Sequence, residues 1–139
     1  MRLVEYVQGK GHPNIRATHP TTLAATREPE VSRAGDCFIM VSADKAPSTL
    51  SEAFKNAARR HVKILVKIIV EDLEDSFECY GEPTLSFKDE CTMIFRKSSY
   101  VCSKTVGVKS SKSAIDVSRS IVSKLRSGSE ITLELAISL

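Results

Sequence analysis

No apolar run in this chain is long enough to cross a bilayer. The longest, around Ile64–Val70, is interrupted by Lys67. The N-terminus offers one arginine and then Glu5 with no apolar stretch behind them, so no secretory signal is expected there. No two of Cys37, Cys79, Cys91 and Cys102 have the close spacing of a structural zinc site. The expectation is free, buried thiols in a reducing cytoplasm, a disulfide being the alternative for a hyperthermophile. Aromatic residues are only 6% of the chain and fall mostly at core-type positions, which argues against single-strand binding by base stacking. There is no nucleophile elbow and no recognition-helix motif. No metal and no cofactor is expected.

What remains is the composition of an ordinary globular protein: 139 residues, about one domain, with 42% hydrophobic and 27% charged side chains. The net charge of +3 hides an uneven layout. From Glu71 to Glu90 eight acids face Lys88 alone, a block of −7; from Arg96 to Arg126 eight bases face Asp116 alone, a block of +7. Such blocks are solvated faces, a surface for phosphate, or complementary patches that pair two subunits.

Along the chain, residues 3–8 read as a strand, Thr21–Arg27 as another, and Asp36–Ser42 as a central strand buried on both faces. Thr49 and Glu52 fit a capping box for a helix whose apolar face is Leu50, Phe54, Ala57 and Ala58. Val62–Val70 alternates cleanly, EDLED at 71–75 reads as a turn, and Phe77–Tyr80 opens a new strand. Then the pattern recurs. Gly81-Glu82-Pro83 repeats Gly11-His12-Pro13 at an offset of 70. At an offset of 67, Val41, Lys45, Leu50, Phe54 and Ala58 meet Val108, Lys112, Val117, Ile121 and Leu125. A second helix starts at Ser113 with Asp116 and stops at Gly128, and Ile131, Leu133, Leu135 and Ile137 echo the earlier alternation. The expected fold is mainly β with two helices, β-sandwich-like with α+β character. It is a single domain over 1–139 built from two repeats, about 1–70 and 71–139, related by a pseudo-two-fold axis.

The stretch GHPNIRATHPTTL at 11–23 is the richest in groups that can do chemistry. Proline pushes its predecessor towards extended conformations. If 12–18 is extended, His12, Asn14, Arg16 and Thr18 share one face while Ile15 and Ala17 turn to the core. An arginine fork beside an amide and a hydroxyl suits a phosphate or carboxylate. His12 and His19 are the candidate acid–base residues. Asn14, Arg16, Thr18, Asp36, Asp44 and Lys45 are the candidate ligand-binding ones. Comparing the repeats pairs His12 with Glu82, Asn14 with Thr84, Arg16 with Ser86 and His19 with Asp89, so these polar residues are not expected to be demanded by the fold. Lys45, by contrast, has Lys112 at the matching position, which fits a structural bridge to the sheet equally well.

GHPNIRATHPTTL, GDCFIMVSADKA at 35–46 and RKSSYVC at 96–102 together resemble an archaeal family of small uncharacterised proteins, a domain of unknown function. The resemblance covers nearly the whole chain. It implies an archaeal, cytoplasmic protein with a β-sandwich-like fold, and an endonuclease activity is one suggestion it carries. KSSK at 109–112 stands where the pattern resembles an Ala-Asp-Lys, which counts against an acid-based role for the second repeat. Three functions follow as expectations. The first is a binding or hydrolytic site for a phosphate-bearing ligand, nucleic acid among them, on the His12–His19 segment. The second is a small-molecule enzyme using His12 or His19. The third is an interaction module forming a homodimer. No membrane partner is expected.

Overall fold

A computed structural model describes all 139 residues. The strands are β1 (Arg2–Lys10), β2 (Thr22–Thr26), β3 (Phe38–Met40), β4 (Lys63–Val70), β5 (Leu73–Tyr80), β6 (Thr92–Arg96), β7 (Thr105–Gly107) and β8 (Glu130–Ser138). The helices are α1 (Glu52–Ala58) and α2 (Arg119–Arg126), each preceded by a 3-10 turn, Pro47–Thr49 and Ala114–Asp116. The fold is mainly β: two four-stranded sheets and two helices. The strand order from β1 through α1 to β4 recurs from β5 through α2 to β8.

One sheet has the order β1-β8-β4-β5 and is antiparallel throughout. The other has the order β3-β2-β6-β7, with the β2–β6 pair antiparallel and the outer pairs parallel. β1 pairs with β8 across the length of the chain, Arg2 opposite Ser138 and Lys10 opposite Glu130. Both seams between the sheets are stitched by one residue pair each. Lys10 and Val41 exchange hydrogen bonds of 2.9 and 2.8 Å, and Tyr80 and Val108 exchange two of 2.9 Å.

The core lies between the sheets. Ile64, Val66, Ile68 and Val70 of β4 are fully buried, as are Leu133, Leu135 and Ile137 of β8, because period-two alternation sends one apolar row inward. Phe77 of β5 meets Phe95 of β6 edge-to-face at 5.6 Å, joining one sheet to the other. All four cysteines are unpaired; only Cys79 is fully buried, and that burial pushes its thiol well above the usual range.

Several expectations are corrected. EDLED is a turn only at Glu71 and Asp72, and its last three residues begin β5. β3 is an edge strand, and its apolar run is buried all the same because Ile39 and Met40 face the core while α2 packs nearby. The expected Thr49–Glu52 box is not formed. Thr49 instead ends the box of the first 3-10 turn, its Oγ1 accepting the Ala46 N–H. The expected Ser113–Asp116 box opens the second 3-10 turn rather than α2, Asp116 Oδ2 accepting the Ser113 N–H. α1 starts two residues later than the expected box implies, with Ser51 Oγ accepting the Phe54 N–H at 3.1 Å. The segment 12–18 is not a strand. It turns at Pro13 and Asn14, and Ala17 takes the left-handed conformation (φ 49°). Phe87, at the matching position, does the same (φ 54°), as do Ser42 and Lys109 (φ 51° and 53°). Strain shared in this way belongs to the frame.

Glycine is required at the head of each Gly-x-Pro turn. A Cβ on Gly11 would lie 1.9 Å from the Leu125 carbonyl oxygen at the end of α2, and one on Gly81 would lie 2.1 Å from the Ala58 carbonyl oxygen at the end of α1. Gly11→Ala and Gly81→Ala are each expected to lower unfolding stability by about 2 kcal/mol or more. Chemical denaturation checks this, Gly128→Ala serving for comparison because space there is open and only its φ of 87° resists the change.

Candidate functional site

The 11–21 loop is held by its own polar side chains. His12 Nδ1 accepts the Asn14 N–H at 3.0 Å, and His19 Nδ1 accepts the N–H groups of Thr21 and Thr22, both at 3.1 Å. A ring nitrogen used in this way carries no proton, so the ring proton of each imidazole sits on Nε2. In the 81–92 loop, Glu82 Oε2 accepts the Thr84 N–H at 2.6 Å, and Asp89 Oδ2 accepts those of Cys91 and Thr92 at 3.1 and 2.7 Å. Imidazole and carboxylate thus do one job at matching positions, and the fold does demand an acceptor at 12 and 19.

The remaining expected residues separate. Asn14 Nδ2 donates to the Val31 carbonyl at 3.0 Å, bracing the long β2–β3 loop. Asp36 acts through its backbone: its carbonyl accepts the N–H groups of Thr18 and His19 at 2.9 and 3.1 Å. Asp44 and Lys45 engage β1 rather than the loop. Asp44 Oδ1 accepts the Gln8 N–H at 2.9 Å, and Lys45 Nζ donates to Glu5 Oε2 at 2.9 Å. Glu5 also takes the N–H of Ser51, the N-cap of α1. In the second half Asp75 receives Lys112 Nζ at 2.5 Å and the Ser118 N–H at 2.9 Å. These inward carboxylates fasten each helix start to an edge strand.

Arg16 and Thr18 do come together, in a groove of about 500 Å³ between the loop and α2, whose other walls are Arg119, Val122, Ser123, Arg126 and Ser127. Arg119, Ser123 and Arg126 fall at i, i+4 and i+7, one face of α2. None of the three arginines is paired with a carboxylate. Arg16 makes one bond of 3.3 Å to the Arg33 carbonyl. Arg119 spends three donors on the carbonyls of Ala17, Ala114 and Val117 at 3.0, 2.9 and 3.0 Å, pinning the strained Ala17 to the helix. A guanidinium has five N–H donors, so each arginine keeps some for a ligand. Among the eight bases of the basic block, Lys97, Lys112 and Lys124 are neutralised within the chain by Asp116, Asp75 and Glu71. No three histidine, cysteine, aspartate or glutamate side chains converge in a cluster suited to a metal ion, and no helix is long and apolar enough to cross a membrane.

A family described as a domain of unknown function, DUF371, matches residues 7–138. The chain belongs to the DUF371 family. It is also 38% identical over 131 residues to an uncharacterised protein, MJ0206, of the archaeon Methanocaldococcus jannaschii, covering 94% of this chain and 97% of that protein. For this DUF371 chain the groove residues that the sequence did not join to the 11–23 segment are Arg119, Ser123, Arg126 and Ser127, although Arg119 and Arg126 fall within the basic block read as a surface for phosphate. Their signal was the polar face of α2, but nothing in the sequence says that this face lies beside Arg16.

Two outcomes check these roles. His19→Asp, which copies Asp89, should keep the stability of the parent, whereas His19→Ala should cost about 1 kcal/mol by orphaning two N–H groups; urea denaturation reads both. The second concerns acid. Burial pushes the Glu5 and Asp75 carboxyls up, but backbone N–H groups and Lys45 or Lys112 outweigh it, leaving both below their usual range. Lys97, then the Ser113 N–H, holds Asp116 down to about 2. A carboxyl depressed on folding stabilises above its unfolded pKa and loses that contribution as pH falls through its folded one. Stability should therefore hold down to about pH 5 and fall between about pH 4 and 2. Lys112→Met should cost about 2 kcal/mol at neutral pH. That cost should shrink in acid, as pH falls below the usual carboxylate range and Asp75 protonates.

Proposed function

We propose that the protein binds a phosphate-bearing ligand in the groove between the Gly11–Thr21 loop and α2, and that a nucleic-acid backbone is the form the charge layout favours. The observation that carries this reading is that Arg16, Arg119 and Arg126 line one groove with no carboxylate partner. Guanidinium forks match the oxygens of a phosphate, and the hydroxyls of Thr18, Ser123 and Ser127 add neutral donors. The groove has no aromatic wall, so the contact would be to the backbone rather than to stacked bases. It also has no carboxylate or imidazole of its own, which supports binding over hydrolysis. We infer further that the two halves are copies of one unit, of which only one has this groove. At the positions matching Arg119 and Val122, Glu52 is paired with Lys55; at the position matching Arg126, Arg59 is spent on the carbonyls of Leu85 and Ser86 and lies over the Phe87 ring.

Fluorescence anisotropy with generic duplex and single-stranded oligonucleotides through a salt series tests the reading. Binding should weaken with salt, with a log–log slope of roughly −0.9 per phosphate on duplex. Arg16→Ala and Arg126→Ala should each flatten the slope by about one. Lys97→Ala, Lys112→Ala and Lys124→Ala should not, because those charges are already paired. No binding at about micromolar protein in low salt would overturn the nucleic-acid form.

A further inference from the structure

Where β5 and β7 are stitched at Tyr80 and Val108, the surface holds a pocket of about 340 Å³ walled by His61, Tyr80, Glu82, Ser99 and Lys109. Its frame is fixed. Tyr80 and Val108 exchange two backbone hydrogen bonds, the Glu82 N–H donates to the Ala58 carbonyl at 2.9 Å, and the Lys109 N–H donates to the Ser98 carbonyl at 3.0 Å. Glu82 Oε2 is occupied by Thr84, through its amide and its hydroxyl, which leaves Oε1 to accept from a ligand. Neither His61 nor Lys109 is within ion-pair reach of a carboxylate. The Thr84 bonds hold the Glu82 carboxyl below its usual range, with smaller contributions from the charges of His61 and Lys109, so it stays an acceptor at neutral pH.

The other seam is built on the same backbone but carries different chemistry. Lys10 stands where the second half has Tyr80, His12 where it has Glu82, and Ser42 where it has Lys109. Residues 42 and 109 share the left-handed backbone, so that conformation is part of the frame while the side chain on it is free to vary. The combination of phenol, carboxylate and two unpaired basic groups is therefore a property of this pocket alone.

We propose that this pocket binds a small phosphate ester bearing free hydroxyls, either a sugar phosphate or the corresponding nucleotide. Lys109 and His61 take the phosphate as donors, Ser99 adds a hydroxyl, Glu82 Oε1 accepts from a sugar hydroxyl, and the Tyr80 ring covers the C–H face. The volume lies within the range of small-ligand sites. The site is separate from the three-arginine groove, and its test does not depend on that groove being occupied.

The experiment is calorimetric titration of the full chain with ribose 5-phosphate, adenosine 5′-monophosphate and inorganic phosphate. One-site saturation by either ester is expected, and the tighter of the two identifies the source of the chemistry. Lys109→Gly keeps the left-handed backbone without strain and should weaken binding at least about tenfold. Glu82→Gln retains an acceptor for Thr84 and should weaken the esters while leaving inorganic phosphate unchanged. Arg126→Ala should remove at most a contribution from the arginine groove and leave the Lys109-dependent site in place. No saturation by either ester up to about 1 mM overturns the proposal. So does binding that survives Lys109→Gly, or that is lost with Arg126→Ala, since it would then lie in the other groove.

Discussion

Each glycine of a Gly-x-Pro turn presses against the last turn of the helix that belongs to the other half, and the remaining packing depends on that approach. Gly11 reaches the end of α2 and Gly81 the end of α1, with no room for a methyl group in either place. The exchange extends to the sheets. β1 pairs with β8 and β5 with β4, while β2 and β6 form the centre of the second sheet. Neither half therefore encloses a core by itself. The carboxylate–lysine clamps at Glu5 and Asp75 complete the arrangement by fastening each helix start to the edge strand of its own half.

Much of this frame was legible because it follows from periodicity. β4 and β8 alternate in the sequence as they alternate in burial, since one face of each meets the core and the other meets solvent. The helix faces were readable for the same reason. Boundaries were less so. Ser113 with an acid three residues on announces that some turn begins, and a 3-10 turn satisfies it as well as an α-helix, while Thr49 ends such a turn instead of opening a helix. The run at 36–42 read as a central strand because its apolar residues are buried. What buries an edge strand here is a helix, and that contact is not written in the local sequence.

The candidate site was legible only in part, for a chemical reason. Comparing His12 with Glu82 and His19 with Asp89 by residue type suggests divergence. A backbone N–H sees only an acceptor lone pair, and Nδ1, Oε2 and Oδ2 all offer one. Residues that looked like chemistry also hold turns. Arg16 and Thr18 were readable as ligand donors, but the arginines of α2 that join them are brought there by the exchange of helices between halves, which sequence spacing does not reveal.

The pairing of β1 with β8 also bears on how the chain can be made. Synthesis delivers β1 well before β8, so β1 waits for its only neighbour in that sheet while the residues between them are translated, on the order of ten seconds. Until then its backbone edge and the apolar row of Leu3 and Val7 stay uncovered. The charges of that strand at Arg2, Glu5 and Lys10, with Gly9 beside the last, disfavour pairing of a waiting edge with a wrong partner during translation.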